Sequence, residues 1–332
     1  MTCEAGRADS ACSIRVAEMA KARAIVKRRK AVQNIRKITQ TMQLISTARY
    51  QRCLQRATAS KPYTERITAL VQTVAETQVV QQLLQALESD VAGEEADGGP
   101  ERRALQLLRP NTGVARSVLL TITSNRGLCG AYNASILRVA TEHRQRLVSE
   151  GTTPDMDVVG KKGINYLRFL KVPVAEKITD IDDHIAYARV AEMAERYMRA
   201  YEAGEIARLD VAYTRFQSVG VQRPMVGELL PITPLQRGEE RERQPARPQF
   251  EFSPSPTALL GRLIPEAVRA RLYQYFNDAI LSEQVARMVA MKAATDAAGD
   301  MIKYLTRQYN RARQTQITLE LADIVGGSNA VS

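Results

Sequence analysis

Apolar side chains recur near the start of the chain at Ile25, Val32, Ile35, Ile38, Met42, Ile45 and Ala48, in steps of 7, 3, 3, 4, 3 and 3. Threes and fours in alternation mark the seam of a coiled coil, and the pattern resumes at Ile67, Leu70, Val71 and Val74. Only Pro62 interrupts it between Met19 and Leu87. The spacing therefore predicts one helix over 19–87, roughly 80 to 100 Å long at about 1.5 Å per residue, with a kink allowed at the proline. The other end mirrors this. From Val268 to Val325 there is no proline and one glycine, Gly299, and Leu272, Phe276, Ala279, Val285, Met288, Val289, Met291, Ala298, Ile302, Leu305 and Tyr309 keep a helical period. Proline suits a first turn, so this second helix is expected to start near Pro265, with Ala258–Leu263 as a separate lead-in turn. Two such helices bury their seams against each other as an antiparallel pair if the chain between them returns. A bundle with short turns would need Gly, Pro, Asn or Asp clusters that neither segment contains.

The middle of the chain has a different texture. Ser117–Thr123 is a β-branched apolar run, Asn133–Val148 has a helical period, and Asp157–Gly160 and Leu209–Phe216 read as further short strands. Strands alternating with helices indicate a small parallel or mixed α/β domain. The expected fold is thus α+β: a long antiparallel coiled coil of terminal helices flanking a small Rossmann-like α/β domain. Its divisions are a tail or mis-assigned start over 1–18, the N-terminal helix over 19–87, an acidic, Gly-rich linker over 88–114 with room for one short helix, the α/β domain over 115–252 and the C-terminal helix over 253–332.

Charge sharpens the picture. The chain carries a net +11, and Ala20–Arg66 holds thirteen basic residues against the single acid Glu65, so 13 − 1 = +12 lies in the first helix. Such a field attracts carboxylate or phosphate. With 45% hydrophobic and 25% charged content over 332 residues, a chain of about two domains with a real core is expected. No run of about 18 uncharged apolar residues exists to span a membrane. Cysteines at 3, 12, 53 and 129 fit neither a paired zinc motif nor a disulfide framework, which points to a reducing compartment. The first 18 residues lack the apolar core of a signal peptide, and Glu4, Asp9 and Glu18 argue against a transit peptide.

The loop after the first strand, Ser124-Asn125-Arg126-Gly127-Leu128-Cys129-Gly130, invites a catalytic reading. It matches neither a phosphate-binding loop nor a dinucleotide fingerprint. A nucleophile elbow would need glycine on both sides of Cys129, and Ala131 occupies one of them. The histidines are His143 and His184, so a Cys–His couple has nothing specific behind it. Gly127, Cys129 and Gly130 are therefore assigned to a tight strand-to-helix turn. Asp182, Asp183 and His184 read as a helix cap rather than a metal site. No catalytic, cofactor or metal residue is assigned. The basic segment leaves a nucleic-acid-binding protein as a rival, but groove-reading modules and stacking aromatics are missing. A hydrolase built on Cys129 is a second rival.

Three blocks settle the comparison with known families. VQNIRKITQTMQLISTARYQR (Val32–Arg52), TSNRGLCGAYN (Thr123–Asn133), and SEQVARMVAMKAATDAAGDMI (Ser282–Ile302) followed by YNRARQTQITLELADIVGG (Tyr309–Gly327) resemble the gamma subunits of bacterial F-type ATP synthases, in the right order and over most of the chain from Met19 onward. The resemblance implies a non-catalytic rotor shaft, one copy per complex, without cofactors. It would turn inside a hexamer of alpha and beta subunits, bind epsilon and the c-ring, and lie peripherally on the cytoplasmic face of the inner membrane. It places Met42, Arg49, Arg313, Gln314, Thr318 and Glu320 against the beta subunits, and Val221, Arg223 and Glu228, within Val221–Ile232, against epsilon and the ring. Nucleic acid is not among the implied partners. The tail before Met19, the long linker around Ala92–Gly113 and Pro265 depart from the family pattern, and no chloroplast-type regulatory cysteine insertion is visible.

Overall fold

The computed structural model describes residues 5–75, 100–183, 185–232 and 255–331. Helix α1 spans Ala5–Ala75 and carries Pro62 inside it. It begins well before Met19, because residues 5–18 hold helix formers such as Ala5, Ala11 and Ala17 and a single glycine, Gly6. The stretch 76–87 expected to continue it, 88–99 of the linker and 233–252 of the α/β domain lie outside the described residues. A short α2, Pro100–Gln106, occupies the described end of the linker. The second long helix, α6, spans Pro256–Val331 and takes Pro265 within it rather than at its start. Proline at 265 removes one amide donor and crowds the carbonyl four residues back, which here belongs to Gly261.

The chain divides into two compact units, one of α1 up to Ser46 with α6 from Arg287 onward, the other of Thr47–Ala286. The second contains the sheet: β1 Arg116–Ile122, α3 Tyr132–Ser149, β2 Thr153–Val159, α4 Lys161–Phe169, β3 Glu176–Ile178, α5 Tyr187–Glu202, β4 Arg208–Phe216 and β5 Gln222–Leu230. The strand order is β3-β2-β1-β4-β5, parallel except for β5, which runs antiparallel to β4. Strands β3 and β5 escape sequence reading for different reasons. The first is only three residues long, and the second lies at an edge, holds Pro224 and buries little of its length.

Apolar layers cover both faces of the sheet. On one, Leu119, Met156 and Val158 meet Ile136, Leu137 and Ala140 of α3 and Ile164 and Leu167 of α4. On the other, Leu120, Val211 and Leu229 join Met193 and Tyr197 of α5, Ile67 and Val71 of α1 and Leu272 and Phe276 of α6. Gly160, at the turn from β2 into α4, adopts φ +96°, and a Cβ there would stand 2.3 Å from the Thr123 carbonyl oxygen. Only glycine permits that approach.

In the other unit α1 and α6 run antiparallel: Arg29 lies over the Tyr309 ring at 5.4 Å, and Thr295 Oγ1 donates to Thr39 Oγ1 at 2.8 Å. The inward positions of α1 follow a strict seven, Ile25, Val32, Thr39 and Ser46. The expected seam through Ile35, Ile38, Ile45 and Ala48 is wrong, since all four are exposed. From Val32 to Ala48 the apolar series advances 16 residues in five steps. At about 100° per residue it drifts roughly 160° round the helix, from the seam to the opposite side. On α6 the seam holds as expected at Met291, Ala298 and Leu305, while Val289 faces out.

Candidate functional site

The outward face of the helical unit is the first candidate surface. Ile35, Ile38 and Ile45 are exposed there in one band, Ile38 by 59%, with Met42 half-buried among them, and Leu44, exposed by 65%, lies about 100° further round the helix. Lys27, Arg28, Lys30 and Lys37 flank this band and have no ion-pair partner among the described residues, while Arg36 turns towards Gly299 of α6. On α6, Arg313, Gln314, Thr318 and Glu320 are exposed too. Thr318 Oγ1 donates to the Gln314 carbonyl at 2.9 Å, and Gln316 Nε2 donates to Glu320 at 3.0 Å, so these residues are tied to their own helix. The six expected partner residues do not form one patch. Because Arg29 sits over Tyr309, Arg313 belongs near the level of residue 25, and Met42 lies about 25 Å further along α1.

Arg49 turns inward instead. Its guanidinium pairs with the Asp183 carboxylate, which also accepts from Gln284 Nε2 at 2.6 Å, while Arg56 donates to the Asp183 carbonyl at 3.4 Å. The acidic cluster therefore anchors α1 and α6 to the loop before α5 and does not cap that helix, whose N-cap is Ala186. His184 lies outside the described residues. Among the described residues no group of three His, Cys, Asp or Glu is placed to hold a metal. Cys53 borders the same cluster, and burial pushes its thiol up, with the nearby Asp183 and Glu283 adding to the shift and Arg56 and Arg49 opposing it.

The loop after β1 is a clip. Ser124 N–H donates to Asn133 Oδ1 at 3.0 Å, and Asn133 Nδ2 donates to Ser124 Oγ at 2.8 Å and reaches Cys129 Sγ at 3.2 Å. Asn125 Nδ2 donates to the Ile181 carbonyl at 2.6 Å, and Asn125 Oδ1 accepts from Lys161 N–H at 3.1 Å. The positive φ values fall at Leu128 and Gly130, so the turn needs its glycine at 130 and not at 127. The buried Cys129 does not face His143. That histidine is bonded to the buried Asp210 at 2.8 Å, and Arg208 closes on the same carboxylate at 2.7 Å. Among the described residues no Cys–His couple exists for hydrolysis.

The third group lies on and beside the edge strand β5. Val221 is exposed in the turn before it, Arg223 stands opposite Arg215, and Glu228 stands opposite Asp210 and pairs with Arg208 at 3.7 Å. Like charges at the first pair are unfavourable, and among the described residues no strand pairs with the outer edge of β5. What the sequence missed is the outward apolar band on α1, because its residues were assigned to the seam. The strict seven of Ile25, Val32, Thr39 and Ser46 was the signal for the true one.

A concavity of about 780 Å³ runs along α1 between Leu54 and Gln72, with Tyr213 stacked on Tyr275 at 4.3 Å and Lys61, Arg215, Arg271 and Asp278 around it. Burial pushes the Asp278 carboxyl up to about 6, against the hydrogen bond from Gln274 and the charges of Arg215 and Lys61.

Residues 21–331 match the ATP synthase family model. The ATP synthase gamma chain of Rhodopirellula baltica is 41% identical over 318 residues, covering 94% of this chain and 99% of that one. The gamma chain of Leptospira biflexa is 33% identical and is covered in full, with 95% of this chain aligned. Among solved structures, a chain of the Euglena gracilis mitochondrial ATP synthase OSCP/F1/c-ring assembly superposes with a TM-score of 0.59 at 17% identity, over 94% of this chain and 95% of that one, which is a likeness of fold. The terminal helices, the central mixed sheet and this near-complete correspondence agree: the chain belongs to the ATP synthase gamma chain family.

Proposed function

We propose that this chain is the central-stalk rotor subunit of an F-type ATP synthase, coupling proton flow through a membrane ring to ATP synthesis and hydrolysis on an alpha/beta hexamer. The observation that carries the reading is the outward apolar band on α1, Ile35, Ile38 and Ile45, on a helix whose inward seam is filled partly by Thr39 and Ser46. Large apolar side chains outside and small polar ones inside describe a shaft that completes its burial against a sleeve. The unpaired cations beside the band complement acidic loops of beta subunits. The band lies on one side of the pair, so turning it presents different contacts to successive catalytic sites, and only differential contacts can bias their states.

The chain itself is non-catalytic in this reading, as no group described above is placed to activate water or hold a nucleotide. Epsilon and the c-ring are the partners assigned to Val221, Arg223 and Glu228, one copy serves each complex, and the site of action is the cytoplasmic face of the inner membrane. No described helix is long and apolar enough to cross a bilayer, which accords with peripheral attachment. The test is reconstitution. Alpha and beta subunits combined with this chain should hydrolyse ATP and, on inverted membrane vesicles stripped of their own F1, pump protons, whereas the isolated chain should do neither. A complex that pumps equally well without the chain would overturn the proposal.

A further inference from the structure

Helix α4 presents two faces. Gly163, Ile164 and Leu167 are buried against the sheet, while Lys162, Asn165, Tyr166 and Phe169 form an outer stripe at helical spacing. Phe169 is exposed by 82%, the most of any large apolar residue among those described, and Tyr166 and Leu170 beside it are each exposed by 42%. A lone exposed leucine is ordinary, but an aromatic–leucine tip almost wholly in water is not. The tip is also held firmly. Lys171 adopts φ 56° and donates its N–H to the Arg168 carbonyl at 3.1 Å, and Val172 N–H donates to Leu167 at 3.0 Å, closing the helix as a glycine normally would.

Topology places this tip among cations. Because α4 runs back from the C-terminal end of β2, its end lies at the N-terminal edge of the parallel strands, opposite the edge that carries Asn125 and Asp183. Along the same edge stand Arg146 of the last turn of α3, Arg168 and Lys171, all exposed and without an ion-pair partner among the described residues. Among the residues of α3, β2 and α4 at this edge the acid Asp155 is already bonded to Arg116 at 2.7 Å, which leaves Glu150, a balance of 3 − 1 = +2. A second copy of this chain would set that charge against itself.

We propose that the tip of α4 rests on an anionic phospholipid surface, with Phe169 and Leu170 entering the boundary between headgroups and acyl chains and Arg168 and Lys171 reaching the phosphates. Aromatic and leucine side chains ringed by basic ones are the chemistry of interfacial attachment. The choice of lipid over an acidic protein rests on the central-stalk reading. A turning element can touch only what turns with it or what looks the same from every angle, and a fluid bilayer surface does. The binding itself is a property of the chain and is measured without that reading.

The chain has no tryptophan, so Phe169→Trp supplies a single probe and Leu44→Trp a control on the basic helix α1. Each full-length variant is mixed with vesicles of phosphatidylglycerol and phosphatidylcholine, with and without brominated acyl chains, and with vesicles of phosphatidylcholine alone. Expected is a shift of the Phe169→Trp emission to shorter wavelength, with quenching by the brominated chains, on the anionic vesicles only, while the Leu44→Trp emission stays unquenched. The double variant Phe169→Ser with Leu170→Ser, folded by circular dichroism, should lose at least about tenfold in vesicle partition. Three outcomes overturn the proposal: vesicle binding with an unquenched probe at 169, quenching at 44 instead, or a shift at 169 that appears in the lipid-free assembled complex, which would mark a protein partner. Failure of rotor coupling in reconstitution would leave the vesicle result standing, and the reverse also holds.

Discussion

In the unit of residues 47–286, Leu119, Leu120, Tyr201 and Phe276 are buried to the last atom, while in the helical unit Ile35, Ile38, Leu44 and Ile45 face outward and Thr39 and Ser46 sit inside. The α/β unit closes its core by itself from both faces of one sheet. The helical unit buries Met291, Ala298 and Leu305 and half-buries Ile25 and Val32 along a narrow seam, and leaves Ile35, Ile38, Leu44 and Ile45 exposed. The same residue types thus do different work. In one place they stabilise the chain, and in the other they stand in solvent, where the proposed function has partner subunits cover them. The difference predicts that mutations in the first unit read out as folding and mutations in the second as assembly.

The largest effect is expected at Phe276. It lies at the centre of the layer formed by α1, α5 and α6, fully buried, so Phe276→Ala should cost about 3–5 kcal/mol by lost burial and an unfilled cavity. Urea unfolding of the full chain measures it, and a loss near zero would mean that this core is not packed as described.

Next is Asp278, where the α/β unit works against itself. Its carboxyl rises from 3.8 to about 6, mainly through burial. The unfolded chain gives up this proton before the folded one does, so stability falls as pH climbs through that window, and the penalty is complete above it. Asp278→Asn keeps an acceptor for Gln274 Nε2, now 2.9 Å away. The substitution should stabilise by on the order of 1–3 kcal/mol at neutral pH and flatten the pH profile. Equal stability gain on both sides of the window would show that the charge is not the cause.

Much of this was legible in the sequence, and the failures have physical reasons. Strand β1 announces itself as a β-branched apolar run because a parallel strand covered on both faces is largely apolar, and β2 and β4 show it only in part, since Asp157 and Asp210 interrupt them. The edge strand β5 has no such run. The seam of α1 was misread because Thr39 and Ser46 are polar and a reader looking for hydrophobic steps passes over them to Ile38 and Ile45. Arg49 was assigned outward from the family resemblance, and nothing local in the sequence says that Asp183, more than a hundred residues later, reaches it. The clip at Ser124–Asn133 was partly visible: glycine was expected to set the turn, but the hydrogen bonds of Asn125 and Asn133 hold it.

A smaller effect tests that clip. Tyr132, buried at the start of α3, donates its hydroxyl to the Ala279 carbonyl of α6 at 3.1 Å, tying the helix after the clip to the long C-terminal helix. Tyr132→Phe keeps the ring and removes the second hydrogen bond to a carbonyl that its own helix also engages, for a cost of about 1 kcal/mol in thermal or urea unfolding. A neutral substitution would show that the helix bond alone satisfies the carbonyl.

The smallest effect on folding belongs to the outward band, and it is the one that decides the comparison. Ile35 and Ile38 occupy exposed positions on α1, so replacing both with serine removes almost no burial from the isolated chain and should change its unfolding free energy by no more than about 0.5 kcal/mol. If the band is covered by a sleeve of partner subunits, each isoleucine contributes about 1.5–3 kcal/mol on burial there. Its loss should then weaken assembly with alpha and beta subunits about tenfold or more per residue. Titrating the double variant against purified alpha and beta subunits, beside an unfolding curve of the same preparation, separates the two readouts. A destabilised chain with normal assembly would put Ile35 and Ile38 back in an internal seam, whereas a stable chain that assembles poorly shows that the helical unit keeps its largest side chains for its partners.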